Sequence, residues 1–331
     1  MAKAKIALVV DVKNWAFDNI AQQIKLYLSD IFQIEIIYHL EDFTDFAQLY
    51  RYLFSGEFEI VHFFWRPHLK NFFNYAFLKD VCPSFTKLLT NISRTIITTS
   101  VYDHLFLERD AIISYKSFFG EIIDAYTVSS KRLCEIYIDR YPSSIPSAVI
   151  QDGVDLNLFS QLPNARILSN KKQSLIVGWA GNSKWGKIGK DSKGLHSIIK
   201  PAIKRIQKRG FDMTAVFADR NLSFIPLNEM KAYYNQLDVY VCASDIEGTP
   251  NPVLEAMACG VPVIVMSDSP KNCEYVEESG GGLVVEPNAE AIRDALQRIT
   301  PEMGERGYTY IQSKWTEEHY AHAILDGIKS L

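Results

Sequence analysis

The feature that most constrains this chain is a regular alternation of short β-branched apolar runs with longer stretches of helical periodicity. Such alternation is typical of α/β layers, in which helices join parallel strands through right-handed crossovers. In the first half we predict strands at 6–12, 34–39, 60–64, 95–99, 126–128 and 148–151, with helices at 17–29, 45–54 and 131–140.

The pattern restarts in the second half after a polar interruption. Residues 156–172 contain Pro163, Ser169 and Asn170 and indicate an interdomain linker. A length of 331 residues also favours two domains. We therefore predict one Rossmann-like domain at 1–160, a second at 173–315 and a last helix at 316–331. In the second domain we expect strands at 175–179, 214–218, 239–243, 262–266 and 283–285, with helices at 195–209, 229–237, 252–259 and 289–299.

Composition argues against several classes of protein. The formal net charge of −4 gives no electrostatic footprint for nucleic acid, so we expect no nucleic-acid partner. The five cysteines include no Cys-x-x-Cys pair, so neither a disulfide framework nor a zinc site is indicated. The first apolar run contains Asp11 and lacks a small-residue cleavage site, which favours a buried strand over a secretion signal. Because no apolar stretch reaches about 18 residues, we expect a cytoplasmic protein.

Two nucleotide-binding classes lack their glycine loops here. A dinucleotide-dependent oxidoreductase would carry Gly-x-Gly-x-x-Gly after an early strand, whereas residues 11–15 read DVKNW. Residues 178–181, GWAG, have the wrong spacing, and the sequence contains no P-loop of the form Gly-x4-Gly-Lys-Ser/Thr.

The most informative stretch is 245–262, DIEGTPNPVLEAMACGVP. A strand ends just before it, a Gly-Thr-Pro-Asn turn follows, and Pro252 lies in the first turn of a helix, where its missing N–H costs little. The start of that helix is expected to offer free backbone N–H groups and a positive dipole end, which suit a diphosphate. Glu247 precedes the turn and Glu255 lies inside the helix, so the two carboxylates can flank a phosphate and accept hydrogen bonds from sugar hydroxyls.

This stretch resembles the donor-site signature of the GT4 family of GT-B glycosyltransferases, Glu-x7-Glu followed by Ala-Met-Ala-Cys-Gly-Val-Pro-Val-Ile. The resemblance implies an α/β GT-B architecture, with two Rossmann-like domains facing across a cleft and the last helix crossing back to the first. It implies that Glu247 contacts the donor sugar, that Glu255 binds the ribose, and that the turn Gly248-Thr249-Pro250-Asn251 holds the pyrophosphate or sugar. The family usually has Glu-Gly-Phe-Gly where this chain has Glu-Gly-Thr-Pro, a difference that alters the shape expected for the sugar pocket.

Weaker matches lie upstream in the expected order. Residues 152–155, DGVD, resemble the Asn-Gly-Val-Asp segment that ends the family's first domain. Gly181 and the later pair Lys193-Gly194 resemble the Gly-Arg…Lys-Gly pair, whose cations hold the pyrophosphate. Asn182 stands where the arginine is usual, and the loop before Lys193 is longer than usual.

The phosphate candidate in this loop is therefore Lys193. Lys184 and Lys187 are possible substitutes for the missing arginine, although a lysine lacks the bidentate fork of arginine. The alternative is that this lysine-rich loop is simply a solvated surface loop.

Candidates in the first domain are fewer. Asp103 and His104 follow a strand where the family often places His-Asp, so either is a candidate contact for the donor sugar; the alternative is a structural histidine. The family's glycine-rich first loop is replaced by residues 13–17, and we place Asn14 and Trp15 on the acceptor side.

His62 and Arg66, at the end of the third strand, are further acceptor-side candidates. A core position is the alternative for these residues and for Trp15.

The resemblance implies a hexosyltransferase-type enzyme that moves a sugar from a UDP- or GDP-linked donor to a glycan or lipid-linked glycan, in bacterial surface polysaccharide synthesis. It also implies retention of anomeric configuration without a metal or other cofactor, and no Asp-x-Asp motif lies at a strand end. The main chemical problem would be the charge on the leaving diphosphate, which helix-end amides and lysines can stabilise.

Three alternatives stay open at this point: a nucleotide-sugar epimerase, a phosphorylase and a non-catalytic GT-B binding subunit. The intact Glu247 and Glu255 argue against the last, whereas Asn182 in the arginine position favours it. The donor base, the sugar and the acceptor are not readable from the sequence.

One further segment bears on location. Residues 66–79, RPHLKNFFNYAFLK, mix cations with aromatics as an interfacial helix would, and the alternative is an ordinary helix packed on the sheet. This segment leaves open a peripheral contact with the inner face of the membrane.

Overall fold

The computed structural model describes residues 3–14, 16–81, 84–102, 107, 110, 112, 115, 118–163, 165, 174–185, 189–245 and 249–329. The chain divides into two compact units. Unit 1 comprises Met1–Asp152 and Glu317–Leu331, and unit 2 comprises Gly153–Thr316. Each unit is an α/β domain built on one parallel sheet.

The sheet of unit 1 has the strand order β2-β1-β3-β4-β5-β6, and every described pair in it is parallel. β1 is buried almost throughout, as expected for a parallel strand covered by helices on both faces. The strands are β1 Lys5–Val10, β2 Gln33–Tyr38, β3 Ile60–Phe63, β4 Ile96–Val101, β5 Ala125–Val128 and β6 Ala148–Val149.

Helices cover both faces of this sheet. They are α1 Ala16–Leu28, α2 His39–Asp42, α3 Phe46–Leu53, a 3-10 helix Arg66–Phe73, α4 Tyr75–Val81, α5 Phe85–Ile92, a π-helical turn Phe118–Ile122 and α6 Lys131–Arg140. The last helix of the chain, α13 Glu317–Lys329, packs against α1, where Ala321 and Leu325 join Ile24 in one apolar cluster. The opposite face is closed by a larger aromatic-rich cluster that includes Tyr50 and Phe63.

The sheet of unit 2 has the order β11-β10-β9-β7-β8 and is also parallel. Its strands are β7 Leu175–Gly181, β8 Met213–Asp219, β9 Val239–Cys242, β10 Val263–Met266 and β11 Gly282–Val285. Its helices are a π-helical turn Leu195–Ile199, α7 Lys200–Lys208, α8 Leu227–Asn235, α9 Asn251–Ala258, α10 Pro270–Ser279, α11 Ala289–Arg298 and α12 Pro301–Lys314.

The predicted α/β class and the predicted strands are confirmed, and the boundaries need correction. Unit 1 ends at Asp152 rather than at residue 160. The reason is that the Val154 amide donates to the Trp315 carbonyl at 2.7 Å and Phe159 packs into the apolar core of unit 2.

A second correction concerns the helix predicted at 195–209. It begins as a π-helical turn, in which the Ile199 amide donates to the Gly194 carbonyl at 2.9 Å, and becomes α-helical only at Lys200. Pro201 follows immediately and has no amide to donate, so a regular α-helical ladder cannot run through this point.

The segment 66–79 forms a 3-10 helix followed by α4, and its Leu69 and Leu78 are buried in the core of unit 1. Among the helices that the structure describes, none is both long and apolar enough to cross a bilayer. The described residues also contain no cluster of three or more His, Cys, Asp or Glu side chains that could hold a metal ion.

Replacing each of two helical glycines by alanine is expected to change the stability of the protein in opposite directions. Gly327 lines a cavity of about 60 Å³ in unit 1, and a Cβ atom there would meet only the Ile150 side chain at 3.8 Å. We expect Gly327→Ala to raise the free energy of unfolding by about 0.5–1 kcal/mol, because alanine favours the helix and fills space. A Cβ atom at Gly304 would lie 2.1 Å from the Gly260 carbonyl oxygen, so Gly304→Ala should be destabilising.

Urea unfolding of both variants beside the parent measures this pair. A Gly327→Ala variant that unfolds at lower urea than the parent would contradict the packing described for α13.

Candidate functional site

Polar groups collect where the strands of unit 2 reach their carboxyl ends. Parallel strands bring these ends to one edge of the sheet, which is where open α/β sheets bind ligands. Gly181 ends β7, Asp219 ends β8 and Cys242 ends β9, so the loops that follow these strands are neighbours. All of the predicted donor-binding residues that the structure describes lie at the end of β7, in these loops or on α9.

The turn before α9 is folded back on itself. The Asn251 amide donates to the Thr249 carbonyl at 3.0 Å, and the Val253 amide donates to the Pro250 carbonyl at 2.8 Å. Pro252, between them, has no amide proton. The expected row of free backbone amides is therefore not found at Asn251 and Val253, because the turn uses these donors itself.

Side-chain atoms are left over in the same turn. Thr249 Oγ1 and Asn251 Oδ1 are buried and have no hydrogen-bond partner among the described residues. Buried polar atoms are almost always paired in folded proteins, so unpaired ones indicate a place for a ligand or ordered water. This turn thus offers one hydroxyl and one amide group to a molecule placed at the start of α9.

Glu255 lies inside α9 and points at an aromatic neighbour. The Tyr234 hydroxyl of α8 donates to Glu255 Oε2 at 2.6 Å, and Tyr234 itself packs edge-on against Phe159 and Tyr240. Burial raises the pKa of the Glu255 carboxyl to about 7, although the bond from Tyr234 favours the ionised form. In its ionised form this carboxylate accepts hydrogen bonds from hydroxyl groups strongly, because charge-assisted hydrogen bonds are stronger than neutral ones.

The loop after β7 is organised by amide and carboxylate groups. Asn182 Oδ1 accepts from the Lys184 amide at 3.0 Å and from Asn221 Nδ2 at 2.8 Å. The buried Asp219 accepts from the amides of Ser183 and Asn221, at 3.3 and 3.1 Å. Asn182, at the position where the GT4 resemblance predicts an arginine, therefore shapes the loop instead of supplying a cation, and the Lys184 side chain is exposed.

The far end of this loop rests on the end of β9. Gly194 has a φ of 65°, and a Cβ atom there would lie 2.4 Å from the Ala243 carbonyl oxygen, so only glycine fits. Lys190 forms an ion pair with Asp245. Lys193, the phosphate candidate, is half-buried with its ammonium 4.7 Å from the centre of the Trp185 ring.

Some predicted site residues lie outside the described part of the chain. They are Glu247, Gly248 and Lys187 of unit 2, and Trp15, Asp103 and His104 of unit 1. Their roles stay predictions.

In unit 1, Asn14 lies in the loop that follows β1. It has a φ of 58°, and its amide donates to Asp18 Oδ2 at 2.7 Å. The buried Asp18 also accepts from the Tyr38 hydroxyl at 2.9 Å, so the loop is fixed to both α1 and β2. Asn14 is exposed, and its acceptor-side role stays a prediction.

His62 and Arg66 occupy core positions, the alternative named for both, and their acceptor-side role stays a prediction. His62 is 8% exposed, its ring nitrogens contact Thr98 Oγ1 at 2.9 Å and Ser100 Oγ at 3.3 Å, and burial lowers its pKa to about 4. Arg66 is only 1% exposed. A strand end does not by itself place a side chain in solvent, because successive residues point to opposite faces of a sheet.

Three residues of the site, Tyr234, Asp219 and Trp185, carry no signal in the sequence that predicts their contacts. Their contacts depend on tertiary structure, since Tyr234 reaches Glu255 from another helix and Asp219 holds a loop that follows a different strand. The sequence does show Trp185 as an aromatic residue among lysines, but it does not show that Lys193, eight residues later, lies against its ring.

Part of unit 2 is similar in sequence to a known protein family. Residues 220–306 match the family model described as "Glycosyl transferases group 1". An uncharacterized glycosyltransferase of Haemophilus influenzae is 35% identical over 75 residues, which are 22% of this chain. This chain spans only 21% of the length of that curated relative. The matched segment, which contains Glu255 and the turn before α9, is thus similar to the glycosyltransferase group 1 family of transferases.

Solved structures match along almost the whole chain and show the fold. Sucrose-phosphate synthase from Thermosynechococcus elongatus aligns with a TM-score of 0.69 at 16% identity, covering 99% of both chains. HepE of Anabaena, in complex with UDP and glucose, aligns at 0.68 and 14% identity, covering 99% of this chain and 100% of its own. The lipopolysaccharide outer core galactosyltransferase WaaB aligns at 0.64 and 12% identity, covering 98% and 99%. The two parallel-sheet units therefore have the GT-B fold.

The raised pKa of the Glu255 carboxyl gives a testable dependence of stability on pH. Its pKa in the folded protein, about 7, lies above the ordinary 4.5, so between these values the folded state keeps a proton that the unfolded state has lost. Stability that is present at low pH is therefore lost as the pH rises through 7. Glu255→Gln has no carboxyl to ionise and so does not lose this stability as the pH rises. We expect the free energy of unfolding of the variant, minus that of the parent, to rise by about 2 kcal/mol between about pH 5 and about pH 8.

Urea unfolding at the two pH values measures this difference. Glu305→Gln, which removes an exposed carboxylate from the same unit, is the matched control. A parent-to-variant difference that does not change with pH would mean that Glu255 ionises normally in the folded protein.

Proposed function

We propose that this protein is a retaining glycosyltransferase of the GT4 type, which takes a sugar from a nucleotide-sugar donor bound in unit 2. The observation that carries the proposal is the turn before α9, inside the segment that matches the group 1 domain. There, the unpaired Thr249 hydroxyl and Asn251 amide oxygen lie at the start of the helix that bears the half-buried Glu255.

The chemistry of a nucleotide sugar fits these groups. The Glu255 carboxylate accepts hydrogen bonds from the two ribose hydroxyls. The bond from the Tyr234 hydroxyl to this carboxylate is either broken or kept beside the new ones. The Thr249 hydroxyl donates to a phosphate oxygen, while Asn251 Oδ1 accepts from a sugar hydroxyl. Lys193 supplies positive charge to the diphosphate as it leaves.

A uridine nucleotide is the first donor to test. The Anabaena HepE structures, which share the fold, were solved with UDP, with UDP and glucose, and with UDP-glucose. The fold similarity does not fix the base in this chain, so GDP, ADP and dTDP sugars belong in the same panel.

Retention and a glycan acceptor complete the proposal. We assign Glu247 to the donor sugar because the sequence places it at the start of the same motif, two residues before Thr249. The acceptor is proposed to be a glycan or lipid-linked glycan of bacterial surface polysaccharide synthesis. The galactosyltransferase WaaB, another protein of this fold, is described as acting on the outer core of lipopolysaccharide, and supports this class of acceptor.

Thermal stabilisation by nucleotide sugars tests the donor site. A ligand that binds only the folded state raises the melting temperature, so one nucleotide of the panel should give a clear shift in the parent. We expect Glu255→Gln to bind that nucleotide about tenfold more weakly, since it loses charge-assisted hydrogen bonds to the ribose. Glu305→Gln should bind it as the parent does.

Product analysis separates the proposal from its competitors. Transfer of the sugar to an added glycan, with the anomeric configuration unchanged by NMR, supports a retaining transferase. Conversion of the donor without any acceptor would instead identify an epimerase, and an absence of binding across the panel would favour a non-catalytic subunit.

A further inference from the structure

Lys193 is held against an aromatic ring of its own loop. Its ammonium lies 4.7 Å from the centre of the Trp185 ring, within the range in which a cation is attracted to the face of an indole. Both side chains are half-buried. A lysine side chain is otherwise flexible, and its ammonium is a point charge without the fixed fork of arginine.

The loop that carries this pair is fastened near Trp185. The Trp185 amide donates to the Asn182 carbonyl at 3.0 Å, and Asn182 is in turn bonded to Asn221. The Asn221 amide donates to Asp219, a buried residue at the end of β8. The indole is thereby tied to the edge of the sheet through a short chain of hydrogen bonds.

The loop is fastened near Lys193 as well. Asp191 accepts from the amides of His196 and Ser197, both at 2.7 Å, and so caps the π-helical turn. The Asp245 amide donates to the Ser192 carbonyl at 3.2 Å, and Gly194 lies against the carbonyl of Ala243. Trp185 and Lys193 are therefore each held near the sheet edge by separate contacts of neighbouring residues.

We propose that Trp185 is a positioning residue, whose indole face holds the Lys193 ammonium at the carboxyl edge of β7 for a diphosphate. This inference rests on the donor site of the proposed function and deepens it. The resemblance predicts an arginine where this chain has Asn182, which shapes the loop, so the restrained Lys193 takes on a role that a rigid guanidinium would otherwise fill. The aromatic restraint compensates for the flexibility of lysine.

Binding of diphosphates by the Trp185 variants tests the proposal. Calorimetric titrations use UDP, GDP, ADP and inorganic pyrophosphate, with uridine, guanosine and adenosine as probes that lack phosphate. We expect Trp185→Ala to lower the affinity for the diphosphate that the parent binds by about three- to fivefold. The affinity for the matching nucleoside should not change. Trp185→Phe, which keeps an aromatic face, should recover most of the loss.

A double-mutant cycle with Lys193→Ala shows whether Trp185 acts through this lysine. In the Lys193→Ala background, Trp185→Ala should cause no further loss of diphosphate affinity. Lys204→Ala, which removes an exposed lysine of the same unit, is the control for net charge. Equal losses in both backgrounds, or equal losses for diphosphate and nucleoside, would overturn the proposal.

The probes distinguish the inference from the function on which it rests. A parent that binds a nucleoside diphosphate with no coupling between Trp185 and Lys193 leaves the donor site standing and removes the inference. A parent that binds pyrophosphate through the coupled pair, and binds none of the nucleotides, supports the inference and removes the nucleotide-sugar function. A parent that binds none of these probes overturns both.

Discussion

Parallel pairing of β7 with β8 on one side and β9 on the other is the constraint on which the site of unit 2 depends. It brings the loops after Gly181, Asp219 and Cys242 to one edge, although these residues are far apart in the sequence. The pairing itself depends on close packing, since a Cβ atom at Gly178 would lie 2.3 Å from the Leu237 side chain. The contacts that Asp219 makes with the loop after β7 follow from this arrangement of strand ends.

Much of this arrangement was predictable from sequence. The apolar runs of β1 and β9 and the Pro252 signal for a helix start are local features, and the structure has them within a residue or two. The place of Glu255 on α9 followed from the same local pattern. The burial of His62 did not, because a strand pattern does not say what lies on each face of the sheet.

The rest could not be read locally for physical reasons. Val154, near the start of unit 2 in the sequence, forms a β-bridge with Thr316 at its end. The boundary between the units is therefore set by a contact between residues that are far apart in the sequence. In the turn before α9, where Pro250 and Pro252 restrict the backbone, the amides of Asn251 and Val253 donate to carbonyl groups of the turn itself. Side chains, rather than these amides, are therefore left for a ligand. The Tyr234–Glu255 bond joins two helices whose packing no short motif records.

The return of the chain from unit 2 to unit 1 has a consequence for how the protein forms during synthesis. The apolar cluster on one face of the unit 1 sheet includes Tyr320, Ala321 and Leu325, which are translated after all of unit 2. Until they emerge from the ribosome, Ile24 and Leu28 of α1 lack part of their cover. Unit 2 is contiguous in the sequence and can close its core first, so unit 1, whose strands are all translated before unit 2, is completed after it.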